Sequence, residues 1–219
     1  MGEFVEEPIY AQLARIGKAL ANPVRLRLLD LLDQRERTVE QLAEEAGVAL
    51  KNTSAQLQQL RNAHLVTSRK VGTRVYYRLA DGQVSGFLGH LQELAEGRLA
   101  DLRSAVAEHL GDPAVLEPVT AGELHDRLND PDIMILDVRS AEEYTAGHVP
   151  GAVSVPMGRL RDKLDDLPRN VEIIAYCQGP YCVVSPTAVH LLRDRGYRAR
   201  PLDGGITRWH RGDHRLETG

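Results

Sequence analysis

The spacing of apolar residues changes character halfway along the chain. In the first half they recur mainly at helical intervals. Ile9 to Leu20 is periodic, and Asn22-Pro23 interrupts it. Pro23 fits the first turn of a following helix over Val24 to Leu32. Thr38-Val39-Glu40-Gln41 has the form of a capping box opening a short helix that ends at Gly47. A second helix is predicted from Leu50 to Ala63, with Thr53, Leu57 and Leu60 on one face. The turn between these two helices, about three residues, has helix-turn-helix spacing. Leu65 to Arg69 and Arg74 to Leu79 alternate as strands around a Lys70-Val71-Gly72-Thr73 turn, with Gly72 suited to positive φ. A long helical pattern then runs from Val84 to Leu110.

Gly111-Asp112-Pro113 ends that pattern. Beyond it, strand candidates (Ile133 to Leu136, Val153 to Val155, Glu172 to Tyr176, Arg198 to Leu202) alternate with helix candidates (Thr120 to Leu128, Ser140 to Ala146, Leu160 to Leu167, Ser185 to Arg195). Thr120 and Glu123 read as a second capping box. Such alternation implies a mainly parallel sheet covered on both faces. The expected organisation is therefore two domains. A mainly α, winged helix-turn-helix domain occupies 1–110, a linker 111–118, and an α/β domain 119–219.

Charge sharpens the first half. The 219-residue chain has a formal net charge of −4. Between Glu45 and Asp81, however, no acidic residue occurs, and Lys51, Arg61, Arg69, Lys70, Arg74 and Arg78 all fall there. A locally basic segment on a mildly acidic protein points to contact with a polyanion. The second helix of the pair can enter the major groove of double-stranded DNA while the hairpin wing meets backbone. Lys51, Asn52, Ser54, Ala55 and Gln56 lie off the Thr53/Leu57/Leu60 face, near the N-terminal end of that helix. Asn and Gln can pair with adenine, and Lys with guanine or phosphate. Arg69, Lys70 and Arg74 on the wing are expected to meet phosphates. No apolar stretch is long enough to span a membrane, and the acidic start lacks a signal-peptide pattern, so a cytoplasmic location is expected.

The chain has two cysteines, both in Cys177-Gln178-Gly179-Pro180-Tyr181-Cys182, between a strand-like run and a helix-like run. In a reducing compartment, close cysteines are more often reactive or metal-binding than a structural disulfide. Loop N–H groups and a helix N-terminus favour a thiolate at Cys177, with Ser185 and Pro186 as cap and first helical residue. A second thiol at Cys182 can attack a modified Cys177.

Three stretches resemble the ArsR family of bacterial repressors: Ala19-Leu20-Ala21-Asn22-Pro23-Val24-Arg25-Leu26-Arg27-Leu28-Leu29, Leu57-Gln58-Gln59-Leu60-Arg61-Asn62-Ala63-His64-Leu65-Val66, and Gly72-Thr73-Arg74-Val75-Tyr76-Tyr77-Arg78-Leu79. The resemblance covers about 8–105 and implies a homodimer, built from the first and last helices of the domain, that leaves DNA when an inducer is sensed. Family metal sensors often carry paired cysteines before the turn; here Arg37-Thr38-Val39-Glu40-Gln41 offers no soft ligand. His90 and His109 are too far apart in sequence for the family's zinc site, so no metal or other cofactor is expected. His64 stands where the family usually has Gly, and His tolerates left-handed φ better than most residues.

Leu136-Asp137-Val138-Arg139, Glu142-Glu143-Tyr144, Gly147-His148-Val149-Pro150-Gly151-Ala152, and Asp203-Gly204-Gly205 with Trp209 resemble the rhodanese domain. That resemblance covers about 119–213 and implies a sulfur-accepting, persulfide-forming Cys177 cradled by Gln178, Gly179, Pro180 and Tyr181. Active sulfurtransferases commonly hold thiosulfate with loop arginines, which this loop lacks. The sequence thus describes a transcriptional regulator. It would sense a sulfane sulfur donor (persulfide, polysulfide or thiosulfate) through Cys177, with Cys182 resolving the product as a di-, tri- or tetrasulfide. The alternative is a cytoplasmic sulfurtransferase whose winged helix sets dimerisation or location.

Overall fold

The computed structural model describes Phe4 to Gly219. Contacts divide the chain into two compact units, one up to Leu88 and one from Gly89 to Gly219.

In the first unit, α1 (Glu7–Leu20) and α2 (Pro23–Gln34) are separated by Asn22, whose side chain accepts from Arg25 N at 3.1 Å. Pro23 opens α2, where its missing N–H costs nothing. A short strand β1 (Arg37–Thr38) leads into α3 (Val39–Ala46) through a complete capping box between Thr38 and Gln41. Gly47 closes α3 at φ +65°, a left-handed conformation that glycine adopts without a Cβ clash. Helix α4 (Leu50–Asn62) buries Thr53, Leu57 and Leu60 completely, so the predicted face is the packed face. Leu57 and Leu60 join Leu28, Leu29, Leu32 and Leu42 in one core. Strands β2 (Val66–Val71) and β3 (Arg74–Leu79) pair antiparallel across a two-residue Gly72-Thr73 turn, and β1 adds to the other side of β3. His64 takes φ +58° before β2, the left-handed turn expected of it. Arg37 was not anticipated as a core residue, yet it is 1% exposed. It ties the end of α2 to α3 through Gln34 and Glu45, at 3.0 and 2.8 Å.

The helical pattern expected from Val84 to Leu110 is two helices, α5 (Gly82–Arg98) and α6 (Ala100–Leu110). Leu99 between them has extended backbone (φ −103°, ψ 105°). Gly97 weakens the helix locally, and the Arg103 guanidinium satisfies the Glu96 carbonyl at 2.7 Å, a partner continuing helix would otherwise supply. The contact division falls inside α5, so its end and α6 belong to the second unit.

That unit continues through α7 (Pro113–Leu116), α8 (Ala121–Asp126), β4 (Ile133–Asp137), α9 (Ala141–Ala146), β5 (Val153–Ser154), α10 (Met157–Lys163), β6 (Glu172–Tyr176), α11 (Val184–Asp194), β7 (Arg198–Pro201) and α12 (Gly205–Arg211). The sheet order is β5-β4-β6-β7, and every pairing is parallel. Two apolar clusters flank it. One contains Leu136, Ile173, Ala175, Cys177 and Val189, the other Ile135, Ile174, Tyr176, Ile206 and Trp209. Adjacent residues of β4 and β6 fall in opposite clusters, the period-two arrangement of a sheet buried on both faces. The Thr120 cap is half of the expected box: Thr120 accepts from Glu123 N at 3.1 Å, but the Glu123 carboxylate pairs with Arg200. No local sequence pattern announces helix α12. No helix among the described residues is long and apolar enough to cross a membrane.

Candidate DNA-binding face and cysteine loop

On α4, Lys51, Asn52, Ser54 and Ala55 are exposed and Gln56 is half-buried. Burying Thr53, Leu57 and Leu60 turns these side chains to solvent. Asn52 and Gln56 are already joined: Gln56 Nε2 donates to Asn52 Oδ1 at 2.9 Å, and Arg25 Nη1 donates to Gln56 Oε1 at 2.9 Å. On the wing, Lys70 and Arg74 are exposed. Arg69 is exposed as well but forms a bidentate pair with Glu36 at 2.7 and 2.6 Å and stacks over Tyr76. Its hydrogen bonds hold the Glu36 carboxyl below the usual range.

The cysteine loop leaves the C-terminal end of β6, the position where open parallel sheets place their reactive groups. Cys177 is 2% exposed, and its Sγ lies 3.2 Å from Ser185 Oγ and 3.6 Å from the Cys182 carbonyl. Helix α11 begins at Val184, with Val183 as its cap residue and no side-chain cap. Ser185 is therefore not the cap the sequence implied. It sits in the first turn, is buried, and turns its hydroxyl to Cys177. The thiol can donate to that hydroxyl, and the hydroxyl can donate to a thiolate. Burial pushes the Cys177 thiol well above its ordinary range; the Cys182 sulfur pushes it further, and Ser185 draws it partly back. This runs opposite to the thiolate-favouring loop expected from the sequence, because loss of solvent outweighs the hydroxyl and the helix end.

The rest of the loop is clamped. The Cys177 and Gln178 carbonyls accept from Ile206 N and Thr207 N at 3.1 and 3.0 Å, and Thr207 Oγ1 adds a bond to Gln178 O at 2.9 Å. These donors lie in the first turn of α12, entered through Gly204 and Gly205 at φ +66° and +56°. A Cβ on Gly205 would stand 2.5 Å from the Cys177 carbonyl oxygen, so this crossing requires glycine. The Gln178 amide donates to Glu143, and Cys182 N donates to Gly179 O at 3.1 Å. Tyr181 Oη donates to Glu96 Oε1 of α5 at 3.0 Å, while Arg208 of α12 holds Glu96 Oε2 at 3.1 Å. Neither link was foreseen; a contact spanning 85 residues leaves no local pattern. Cys177 and Cys182 are not joined by a disulfide.

Beneath the loop, Asp137 is wholly buried and receives Arg139 Nη2 and Tyr176 Oη, each at 2.6 Å. Arg139 also donates to the Gly147 carbonyl at 2.7 Å. Desolvation, with Asp137 beside it, drives the Tyr176 hydroxyl upward, so it stays a neutral donor. These residues brace β4, β6 and the Gly147 turn.

Fold and site define a winged-helix DNA-binding regulator joined to a rhodanese-like domain. Residues 22–68 match the arsR family of bacterial regulatory proteins, and residues 120–212 match the rhodanese-like domain. The chain is 44% identical over 198 residues to the HTH-type transcriptional regulator Rv0324 of Mycobacterium tuberculosis, covering 90% of this chain and 87% of that one. It therefore belongs to the ArsR family, in the form that carries a C-terminal rhodanese-like domain. It is also similar to a sulfurtransferase of Allochromatium vinosum, at 28% identity over 99 residues, 44% of this chain and 91% of the other. A solution structure of a homodimeric winged helix-turn-helix DNA-binding domain from Mycobacterium bovis is 42% identical, with a TM-score of 0.42, covering 46% of this chain and 94% of that one.

Proposed function

We propose that this regulator binds operator DNA as a homodimer in the cytoplasm and releases it when sulfane sulfur is bound at the Cys177/Cys182 pair. One observation carries the reading: both thiols of the chain occupy a single clamped loop, and Tyr181 of that loop holds Glu96 on α5. Lys51, Asn52, Ser54, Ala55 and Gln56 face the major groove, and Lys70 and Arg74 meet phosphate. Arg69 joins them only on leaving Glu36. Exposed Ile9, Tyr10 and Leu13 on α1 support the dimer, since an apolar helix face in water favours a partner.

In the sulfur step, a cysteine thiolate attacks the outer sulfur of a donor R–S–SH. The S–S bond breaks, Cys–S–SH forms, and RS⁻ leaves and takes a proton. Attack of one cysteine on the inner sulfur of the other's persulfide closes a disulfide and expels HS⁻. When the attacking cysteine already carries one or two sulfane sulfurs, the bridge is a tri- or tetrasulfide. Bridging draws Cys182 toward Cys177, displaces Tyr181 and loosens its hold on Glu96. The test is operator affinity before and after polysulfide treatment, in wild type and Cys177→Ser.

A sulfurtransferase reading is favoured by the rhodanese-like match and by the likeness to the Allochromatium vinosum sulfurtransferase. Steady-state turnover of many sulfurs from thiosulfate to cyanide would support it. Stoichiometric uptake without turnover supports the sensor.

A further inference from the structure

A cavity of about 90 Å3 opens beside the cysteine loop within the second unit. Val106 and Leu110 of α6, Leu116 and Pro180 form much of its wall, and Cys182 and Ser185 meet it from the loop and α11. Cys177 does not line it. Its lining includes no Lys, Arg or His, and its one ionisable side chain besides Cys182 is Asp203, an acid. The Asp203 carboxylate is held by Arg208, whose other guanidinium nitrogen is held by Glu96, so that guanidinium is already engaged on both sides.

An anionic donor entering here would shed part of its water and meet mainly apolar carbon, with the Ser185 hydroxyl on one side and the Asp203 carboxylate on another. Burying an unpaired charge is among the costliest steps available to a ligand. An uncharged organic tail replaces water at no such cost and gains contact with the wall. We infer that this cavity is the donor site, that it takes an organic hydropersulfide with an uncharged tail, and that Cys182 is the first thiol to accept sulfur. The inference rests on the sulfur-sensing reading above and adds the donor class and the order of transfer.

The sequence of bonds is balanced without an external oxidant. Cys182 thiolate attacks the outer sulfur of R–S–SH; RS⁻ leaves and is protonated, and Cys182–S–SH remains. Cys177, as its thiolate, then attacks that terminal sulfur. The Cys182 S–S bond breaks, Cys177–S–SH forms, and Cys182 returns as thiolate. Sulfur thereby reaches a thiol that solvent barely touches, through one that lines a cavity.

The test uses the full-length dimer and two hydropersulfides of similar leaving-group strength, one with a propyl tail and one with a carboxyethyl tail. Each rate of sulfur uptake, followed by mass spectrometry, is divided by that donor's rate with a small thiol in solution. The propyl donor is expected to load wild type at least about tenfold faster on this scale, equivalent to about 1.4 kcal/mol of discrimination. In Cys182→Ser, loading of Cys177 is expected to fall at least about tenfold. In Cys177→Ser, sulfur is expected to stop on Cys182, at one per chain. Equal normalised rates for the two donors overturn the donor class, and wild-type loading of Cys177 in Cys182→Ser overturns the order. Either leaves the sensor reading standing if operator release persists. Uptake of no sulfur from either donor overturns the inference, and the sensor reading falls with it only if polysulfide also leaves operator affinity unchanged.

Discussion

Tyr181 Oη donates to Glu96 Oε1 at 3.0 Å, across 85 residues of chain. Glu96 sits near the end of α5, and Arg208 fixes its other oxygen at 3.1 Å. A tyrosine of the cysteine loop is thus fastened to the helix that continues back toward the winged-helix unit. Removing the hydroxyl in Tyr181→Phe deletes one bond to a charged acceptor and leaves the thiols in place. Stability is expected to fall by about 1.5–3 kcal/mol at most. Sulfur uptake, counted by mass spectrometry, should stay close to wild type. The difference in operator affinity between loaded and unloaded protein should shrink several-fold, because the loop no longer grips α5.

Gly205 combines φ +56° with a hypothetical Cβ 2.5 Å from the Cys177 carbonyl oxygen. Gly205→Ala must move α12 off the loop or distort both. A loss of about 1–3 kcal/mol from the backbone strain alone is expected in urea unfolding. The same variant should also shift the reactivity of Cys177 toward a thiol-alkylating reagent. The Ile206 and Thr207 bonds that clamp the loop start from this turn.

Burial raises the Cys177 thiol above its unfolded value, so the neutral form is the one the fold favours. Its contribution is present in full below the ordinary thiol pKa, near 8.5, and is lost as pH rises toward the folded value. Wild type should therefore lose more stability than Cys177→Ala between about pH 8 and 10. Comparing the two in urea removes the contribution of Tyr176, which has the same sign and is common to both. Parallel pH profiles would show that the Cys177 thiol titrates normally.

On the wing, Lys70 and Arg69 should behave differently although both carry a positive charge. Lys70→Ala is expected to weaken binding to every DNA sequence and to reduce the slope of log affinity against log salt by about 1. Arg69→Ala should change the slope less, because Arg69 must first leave Glu36. Glu36→Gln, which weakens that pair, is expected to tighten binding. Salt titrations by fluorescence anisotropy on the operator and on an unrelated duplex separate these outcomes.

Local patterns carried much of this architecture. The Thr53, Leu57 and Leu60 spacing identified the buried face of α4, and the Thr38–Gln41 capping box identified the start of α3. Alternating apolar runs gave the parallel sheet. What escaped was non-local. The break at Leu99 depends on Arg103 reaching back to the Glu96 carbonyl, and α12 is set by two left-handed glycines crossing the cysteine loop. Ser185 before a proline has the local signature of a cap; that the helix starts at Val184 and turns this hydroxyl onto sulfur is decided by packing against Cys177. The two cysteines were legible as a pair. Their unequal access was not, since burial at the end of β6 is a property of the sheet and its covering helices.

The most direct test of a sulfur-gated repressor is the affinity of the full-length protein for its operator, measured by gel shift with and without a sulfane sulfur donor. Wild type should bind at least about tenfold more weakly after treatment, within the usual range of coupling between two sites. Cys177→Ser should bind equally well before and after. Loss of DNA by treated Cys177→Ser to the same extent as wild type would contradict the account.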